Sequence, residues 1–294
     1  MKILVMLAGW AGDDSENTRE WLEWYREILA TEFSSCEIFL AVSNKSDASL
    51  LRHLGGLANI SRSEAVNADL HVDSDASQYQ LCLRMFKESG QDYDLIFFMH
   101  TKGISYSFEM FKPWRESVRE TIFSMAAVES IIGHRSRFLV AERGHMIQAQ
   151  SSISQCRILA DECGILDPTF HYAAATTLFY VDGISLKMFT ASLPPKYFCE
   201  NLLGLGHSRF FFEGTIPSLL TMMGAEPLFV GGSGYEDGFN QNVSFDALPA
   251  HNSALVLDQY RNMRASNGTY KQNSVPYVTG TKEQAQQVRI FFEL

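Results

Sequence analysis

The sequence predicts an α/β domain with a mostly parallel central sheet flanked by helices. Two observations lead there. Short apolar runs alternate with segments of helical period through the first half of the 294 residues, with glycine stops at Gly55-Gly56, Gly90 and Gly133. Such alternation builds parallel strands with helices on both faces. One run, residues 95–99, has no polar interruption. That is the signature of an inner strand buried on both faces.

Taken in order, residues 3–8 form the first strand, which breaks at Gly9-Trp10-Ala11-Gly12. Residues 19–32 put Trp21, Leu22, Tyr25, Ile28 and Leu29 on one helical face. The second strand spans 36–42 and its loop is Ser43-Asn44-Lys45-Ser46-Asp47. A short helix over 49–54 stops at the glycine pair. Residues 65–72 give a weaker third strand, and 77–89 a helix with Tyr79, Cys82, Leu83 and Phe86 on one face. After the strong strand at 94–99, residues 113–132 read as a single long helix with Val118, Ile122, Met125 and Ile132 facing the core. Further strands are expected at 137–141, 176–181 and 226–230, a helix at 213–223, and a closing strand at 287–294.

Composition excludes several functions. The net charge of −10 argues against nucleic acid as the main partner. The five cysteines, Cys36, Cys82, Cys156, Cys163 and Cys199, lack a CxxC pair and zinc spacing, and read as reduced thiols. The apolar start breaks at Gly9 and is followed by Asp13-Asp14, so a first strand is expected rather than a signal peptide. No apolar stretch reaches membrane-spanning length, and a cytoplasmic location is expected.

In open parallel sheets ligands bind beyond the carboxyl ends of the strands. The strongest signal there is His100-Thr101-Lys102-Gly103 after the inner strand. Lys102 is a point charge suited to a diphosphate. Gly103 permits close backbone approach, and His100 can donate to phosphate or bind a metal. A solvated turn is the alternative. Asp73 and Asp75, two apart, flank a helix start; Ser74, Asp75 or Ser77 caps it, or the two carboxylates hold a ligand's hydroxyls or Mg²⁺ or Mn²⁺ in the manner of an Asp-x-Asp motif. Trp10, Asp13 and Asp47 follow the first and second strands at the same edge. The chain has no dinucleotide GxGxxG, no phosphate loop, no GxSxG elbow and no HExxH helix.

Asp75, the pair Tyr93-Asp94 and His100-Thr101-Lys102 together resemble the rhamnan synthesis protein F family, which is similar to GT-A glycosyltransferases. Two later segments, Thr176-Thr177-Leu178-Phe179-Tyr180-Val181 and Phe211-Phe212-Glu213-Gly214-Thr215-Ile216-Pro217, fit the same resemblance. One departure stands out. GT-A enzymes typically carry Asp-x-Asp at the end of the central strand, where this chain carries His100-Thr101-Lys102.

The resemblance implies a GT-A-like domain over 1–294, with a nucleotide-sugar-binding half at 1–145, an acceptor and catalytic half at 146–240 and a C-terminal extension at 241–294. It also implies sugar transfer from a nucleotide-sugar donor to a glycan acceptor in cell-surface polysaccharide synthesis. Gly9, Trp10, Asp13, Asp47, Asp73, Asp75, His100, Lys102 and Gly103 are expected around the donor. Trp114, Arg115, Thr176 and Thr177 are expected near the acceptor, with helix-face packing the alternative for Trp114. Glu213, at a helix start that favours the ionised carboxylate, is the expected catalytic base, with a charge partner of the helix N-terminus as the alternative. Because Lys102 supplies a cation at the strand end, no metal is expected to be obligatory. The alternatives are a non-catalytic nucleotide-sugar or glycan-binding module, and a nucleotidyltransferase on a similar fold.

Overall fold

The structure is a computed structural model. It describes residues 1–231 except 12–13, 44–46, 67–74, 102–103, 105–106, 110, 143–145, 149–158, 165–171, 175–176, 201, 203–204 and 206–210. Along the first half run β1 (Ile3–Gly9), α1 (Glu16–Thr31), β2 (Glu37–Ser43), α2 (Asp47–Leu54), β3 (Ile60–Val66), α3 (Ala76–Ser89), β4 (Leu95–His100), α4 (Lys112–Glu120), α5 (Met125–Ile132) and β5 (Phe138–Glu142). The second half carries β6 (Met146–Gln148), β7 (Tyr172–Ala174), β8 (Phe179–Asp182), α6 (Gly183–Ser192), a wide π-helical turn (Phe211–Thr215), α7 (Ile216–Met222) and β9 (Glu226–Val230).

The predicted α/β class is what the chain adopts. Its main sheet has seven strands in the order β3-β2-β1-β4-β8-β5-β9, and β6 and β7 form a separate antiparallel pair. Neighbours are parallel except at β8, which runs antiparallel to both β4 and β5. The chain lays down β1, β2 and β3 outward in one direction, then returns to place β4 on the other side of β1. The order therefore reverses between β1 and β4.

Side-chain alternation along each strand divides the core in two. Ile96 and Phe98 of β4 join a cluster with Tyr79, Phe86, Phe179, Leu186, Phe189, Ile216 and Leu219, beneath α3, α6 and α7. Leu95, Phe97 and Met99 join the other, with Trp21, Tyr25, Leu50, Trp114, Val118, Val128 and Tyr180, beneath α1, α2, α4 and α5. The antiparallel strand is pinned through both layers. Phe97 stacks on Tyr180 at 4.1 Å and Phe98 on Phe179 at 4.6 Å, and both pairs are in register.

Three elements depart from the sequence reading. The third strand is β3 at Ile60–Val66, overlapping the expected 65–72 only at its end. Its residues alternate between half-buried and exposed, as an edge strand does, so an apolar run is a poor guide to it. The long helix expected at 113–132 is two helices. Thr121 Oγ1 turns back to the Ser117 carbonyl at 2.8 Å, and Ser124 caps α5 by accepting from Ala127 N at 3.3 Å. The strand expected at 176–181 begins only at Phe179, after Thr177 has turned with φ at 50°. The closing strand expected at 287–294 lies outside the described residues.

Burial sets an alkaline limit on stability. It pushes the Cys36 thiol up to about 11 and the Cys82 thiol higher still, and holds the Tyr79 and Tyr180 hydroxyls well above their ordinary range. These groups keep their protons in the native state and release them at lower pH when the chain unfolds. The unfolded state then binds fewer protons, so unfolding free energy falls as pH rises. Stability is expected to be flat from pH 7 to about 8 and to decline above about 8.5, where free thiols ionise. Urea unfolding at pH 7, 9 and 10 checks this, and a midpoint unchanged to pH 10 would contradict it.

Candidate functional site

Six strands of the main sheet point their carboxyl ends to one edge, and β8, running oppositely, brings its amino end to the same edge. The reversal between β1 and β4 is the point on such an edge where ligands bind.

The two strands at that point are fastened beyond their last sheet residues by Thr101, to which the sequence reading gave no role. Its backbone N donates to the Ala8 carbonyl at 3.2 Å. Its hydroxyl donates to the Trp10 carbonyl at 2.6 Å and accepts from Trp10 N at 2.9 Å. The half-buried Trp10 packs against the α1-side core. At Gly9, a Cβ would come within 3.2–3.4 Å of Leu50, Leu40 and Val42 side chains, so the missing side chain makes room for β2 and α2.

The structure brings Asp75 and His100 together. Asp75 occupies the N-cap position of α3, yet its carboxylate makes no capping hydrogen bond. Instead its Oδ2 lies 2.7 Å from Nδ1 of His100, the last residue of β4. Capping, one of the two alternatives for this residue, is therefore not its role. The other imidazole nitrogen, Nε2, is buried and has no hydrogen-bond partner among the described residues.

Tyr79, one turn into α3, joins this pair to the second half of the chain. Its ring lies 6.3 Å from His100, 5.6 Å from Phe98 and 5.2 Å from Phe212. Its hydroxyl donates to the Thr177 carbonyl at 3.1 Å. Thr177 is 1% exposed and holds φ at 50°, a strained value for a β-branched residue. Its Oγ1 is also buried without a hydrogen-bond partner among the described residues. Burial is the main cause of the raised Tyr79 value. The negative charge of Asp75 adds to it, and that of Glu213 contributes further, so the phenol lies within the field of both carboxylates.

Glu213 sits in the π-helical turn that leads into α7, beside Phe212, and is buried. Such widened turns are frequent at functional sites. The helix expected to open at this glutamate regularises only at Ile216. A further buried carboxylate, Glu142, ends β5. It accepts from Ser117 Oγ at 3.0 Å and Thr121 Oγ1 at 3.2 Å, which ties α4 to the sheet edge. Its one sequence signal is a glutamate ending an apolar run.

Trp114 and Arg115 are packed into the core. Trp114 is 1% exposed and packs against Trp21, Trp24 and Phe111. The Arg115 guanidinium lies 3.1 Å from the Phe108 ring centroid and donates to the Phe108 carbonyl at 2.5 Å, and burial lowers its pKa. Asp47 opens α2, and its side chain is outside the description. Asp13, Asp73, Lys102, Gly103 and Thr176 lie outside the described residues. Among the described residues no group of three His, Cys, Asp or Glu side chains could hold a metal ion, and no helix is long and apolar enough to cross a membrane.

No protein-family profile matches the sequence, and no curated protein does. One solved structure, provisionally assigned as a nucleotide-diphospho-sugar transferase from Desulfovibrio desulfuricans G20, is similar with a TM-score of 0.33 at 9% identity, over 90% of this chain and 97% of that one.

The Thr101 fastening has a measurable cost. Thr101→Val keeps the shape and removes both hydroxyl bonds to Trp10, so it is expected to lower unfolding free energy by roughly 1–3 kcal/mol. Urea unfolding followed by circular dichroism checks this, and a change below about 0.5 kcal/mol would contradict it.

Proposed function

We propose that the chain is a glycosyltransferase, moving a sugar from a nucleotide-sugar donor to a hydroxyl of a glycan or polysaccharide acceptor in cell-surface polysaccharide synthesis. The observation behind this reading is the meeting of Asp75, His100 and Tyr79 at the carboxyl edge of the sheet, with Glu213 next to Phe212, whose ring lies 5.2 Å from that of Tyr79. The β1/β4 reversal at that edge is where a nucleotide is expected on a doubly wound sheet.

In this reading the nucleoside lies against the β1 end at Gly9–Trp10, with Asp13 and Asp47 nearby. The diphosphate lies beyond β4, where Lys102 and Gly103 follow. Glu213 takes the proton of the acceptor hydroxyl as its oxygen attacks the anomeric carbon. The bond from that carbon to the diphosphate breaks, and the electron pair leaves with the nucleoside diphosphate. Thr176 and Thr177 border the acceptor side, while Trp114 and Arg115 are left to packing. A divalent ion would supply charge neutralisation at the leaving group. Asp75, one of the two carboxylates that could hold such an ion, has its Oδ2 2.7 Å from His100 Nδ1. The reading therefore assigns no step to a metal.

Glu213→Gln is expected to lower kcat for transfer by about 10²–10⁴-fold while donor affinity stays within about twofold. Kinetics with separated products, run on nucleotide-sugars in chelator, checks both numbers. Full turnover by the variant would remove Glu213 from the chemistry. Pyrophosphate instead of nucleoside diphosphate as product would convert the reading to nucleotidyl transfer. Binding without turnover in the wild type would make the chain a binding module.

A further inference from the structure

We propose that Asp75 and His100 act as one unit, in which His100 Nε2 donates directly to the leaving diphosphate and Asp75 serves as its positioning residue. This rests on the reading above and goes beyond it, because it gives a histidine–carboxylate pair the place a divalent ion would take.

The pair is built rather than incidental. An aspartate at a helix N-cap ordinarily accepts from the first-turn amides and is favoured there for that reason. Asp75 forgoes that bond, and its Oδ2 reaches from α3 to the end of β4 to meet His100 Nδ1 at 2.7 Å. The ring is placed by that close contact and by the packing of Tyr79, whose own hydroxyl is tied to the Thr177 carbonyl.

Nε2 is then the remaining functional atom. It is buried and unpartnered among the described residues, a costly condition unless something fills it. Orphaned buried polar atoms call for an explanation, and a ligand at the site is one. The position of the ring, at the last residue of β4 beside the β1/β4 reversal, makes the diphosphate that ligand.

In the complex the ring stands between Asp75 and phosphate, and its imidazolium form is the one that donates from Nε2. Its Nε2–H then makes a charge-assisted hydrogen bond to the diphosphate. As the bond from the anomeric carbon to the leaving oxygen breaks, the electron pair moves onto the diphosphate. The hydrogen bond strengthens with the developing charge. The acceptor's proton goes to Glu213, so His100 gains and loses none in the cycle. Asp75 touches no substrate; it holds the ring and balances its charge.

The test is binding of UDP, GDP and dTDP to the full chain in chelator, by calorimetry, with the matching monophosphates as controls. For the diphosphate that binds the wild type best, His100→Gln is expected to weaken binding at least tenfold and the monophosphate by less than threefold. Asp75→Asn is expected to weaken the diphosphate about three- to tenfold. The double variant Asp75→Asn/His100→Gln is expected to match His100→Gln alone, since a residue acting through another adds nothing once that other is gone. A merely structural Asp75 would add its loss to that of His100. Equal diphosphate affinity in His100→Gln and wild type would overturn this inference and leave the sugar-transfer reading standing. So would wild-type binding that vanishes in chelator and returns with Mn²⁺. Failure of all three diphosphates to bind the wild type, with or without Mn²⁺, would overturn both.

Discussion

The two-sided burial of β4 constrains the rest of the structure. Leu95 to Met99 are wholly excluded from solvent, with alternate side chains pointing into opposite core layers. A strand with no polar face needs helices above and below it and a hydrogen-bonded strand along each side. The parallel β1 and the antiparallel β8 meet the second demand. Its polar exit is therefore its carboxyl end, and His100 and Thr101 stand there. Core packing and site chemistry thus meet at one strand end. Thr101 closes the sheet onto Trp10, and His100 turns to Asp75.

β8 adds a second consequence. Had it run parallel, its amino end would lie at the opposite edge, far from His100. Running antiparallel, it delivers Thr177 to the working edge, where the Tyr79 hydroxyl holds its carbonyl in a strained turn. The stacks of Phe97 on Tyr180 and Phe98 on Phe179 fix the register that makes this meeting possible. Stacked pairs of this kind contribute about 0.5–1.5 kcal/mol each beyond area burial, enough to offset local strain at one residue.

Much of this was legible in the sequence, and the reasons differ by element. β1, β2 and β4 are apolar runs buried on both faces, so pattern alone finds them. β3 is an edge strand of alternating polarity, and its polar half conceals it. The break between α4 and α5 depends on Thr121 and Ser124 bonding back to the chain, which a helical period does not register. At the site, His100 and Asp75 were both named, but not their contact. Residues 25 apart in sequence meet only because α3 starts beside the end of β4. Thr101 and Glu142 act through tertiary hydrogen bonds and carry almost no local signal. Trp114 packs in the aromatic layer under α1, the alternative its helical position offered, and Arg115, expected near the acceptor, lies over the same layer.

Under the proposed function a nucleoside diphosphate binds at the carboxyl edge of β1 and β4. The opposite, amino edge provides the contrast. There a shallow groove of about 350 Å³ is lined by Lys2, Ser34, Ser35, Glu37, Asn59 and Ser61. The most direct measurement is amide chemical-shift mapping of the isotope-labelled chain during titration with UDP, GDP and dTDP. Shifts concentrated at Gly9, Trp10, His100 and Thr101, with the groove residues unmoved, are the predicted result. Saturable shifts confined to Ser34, Ser35, Asn59 and Ser61 would contradict it.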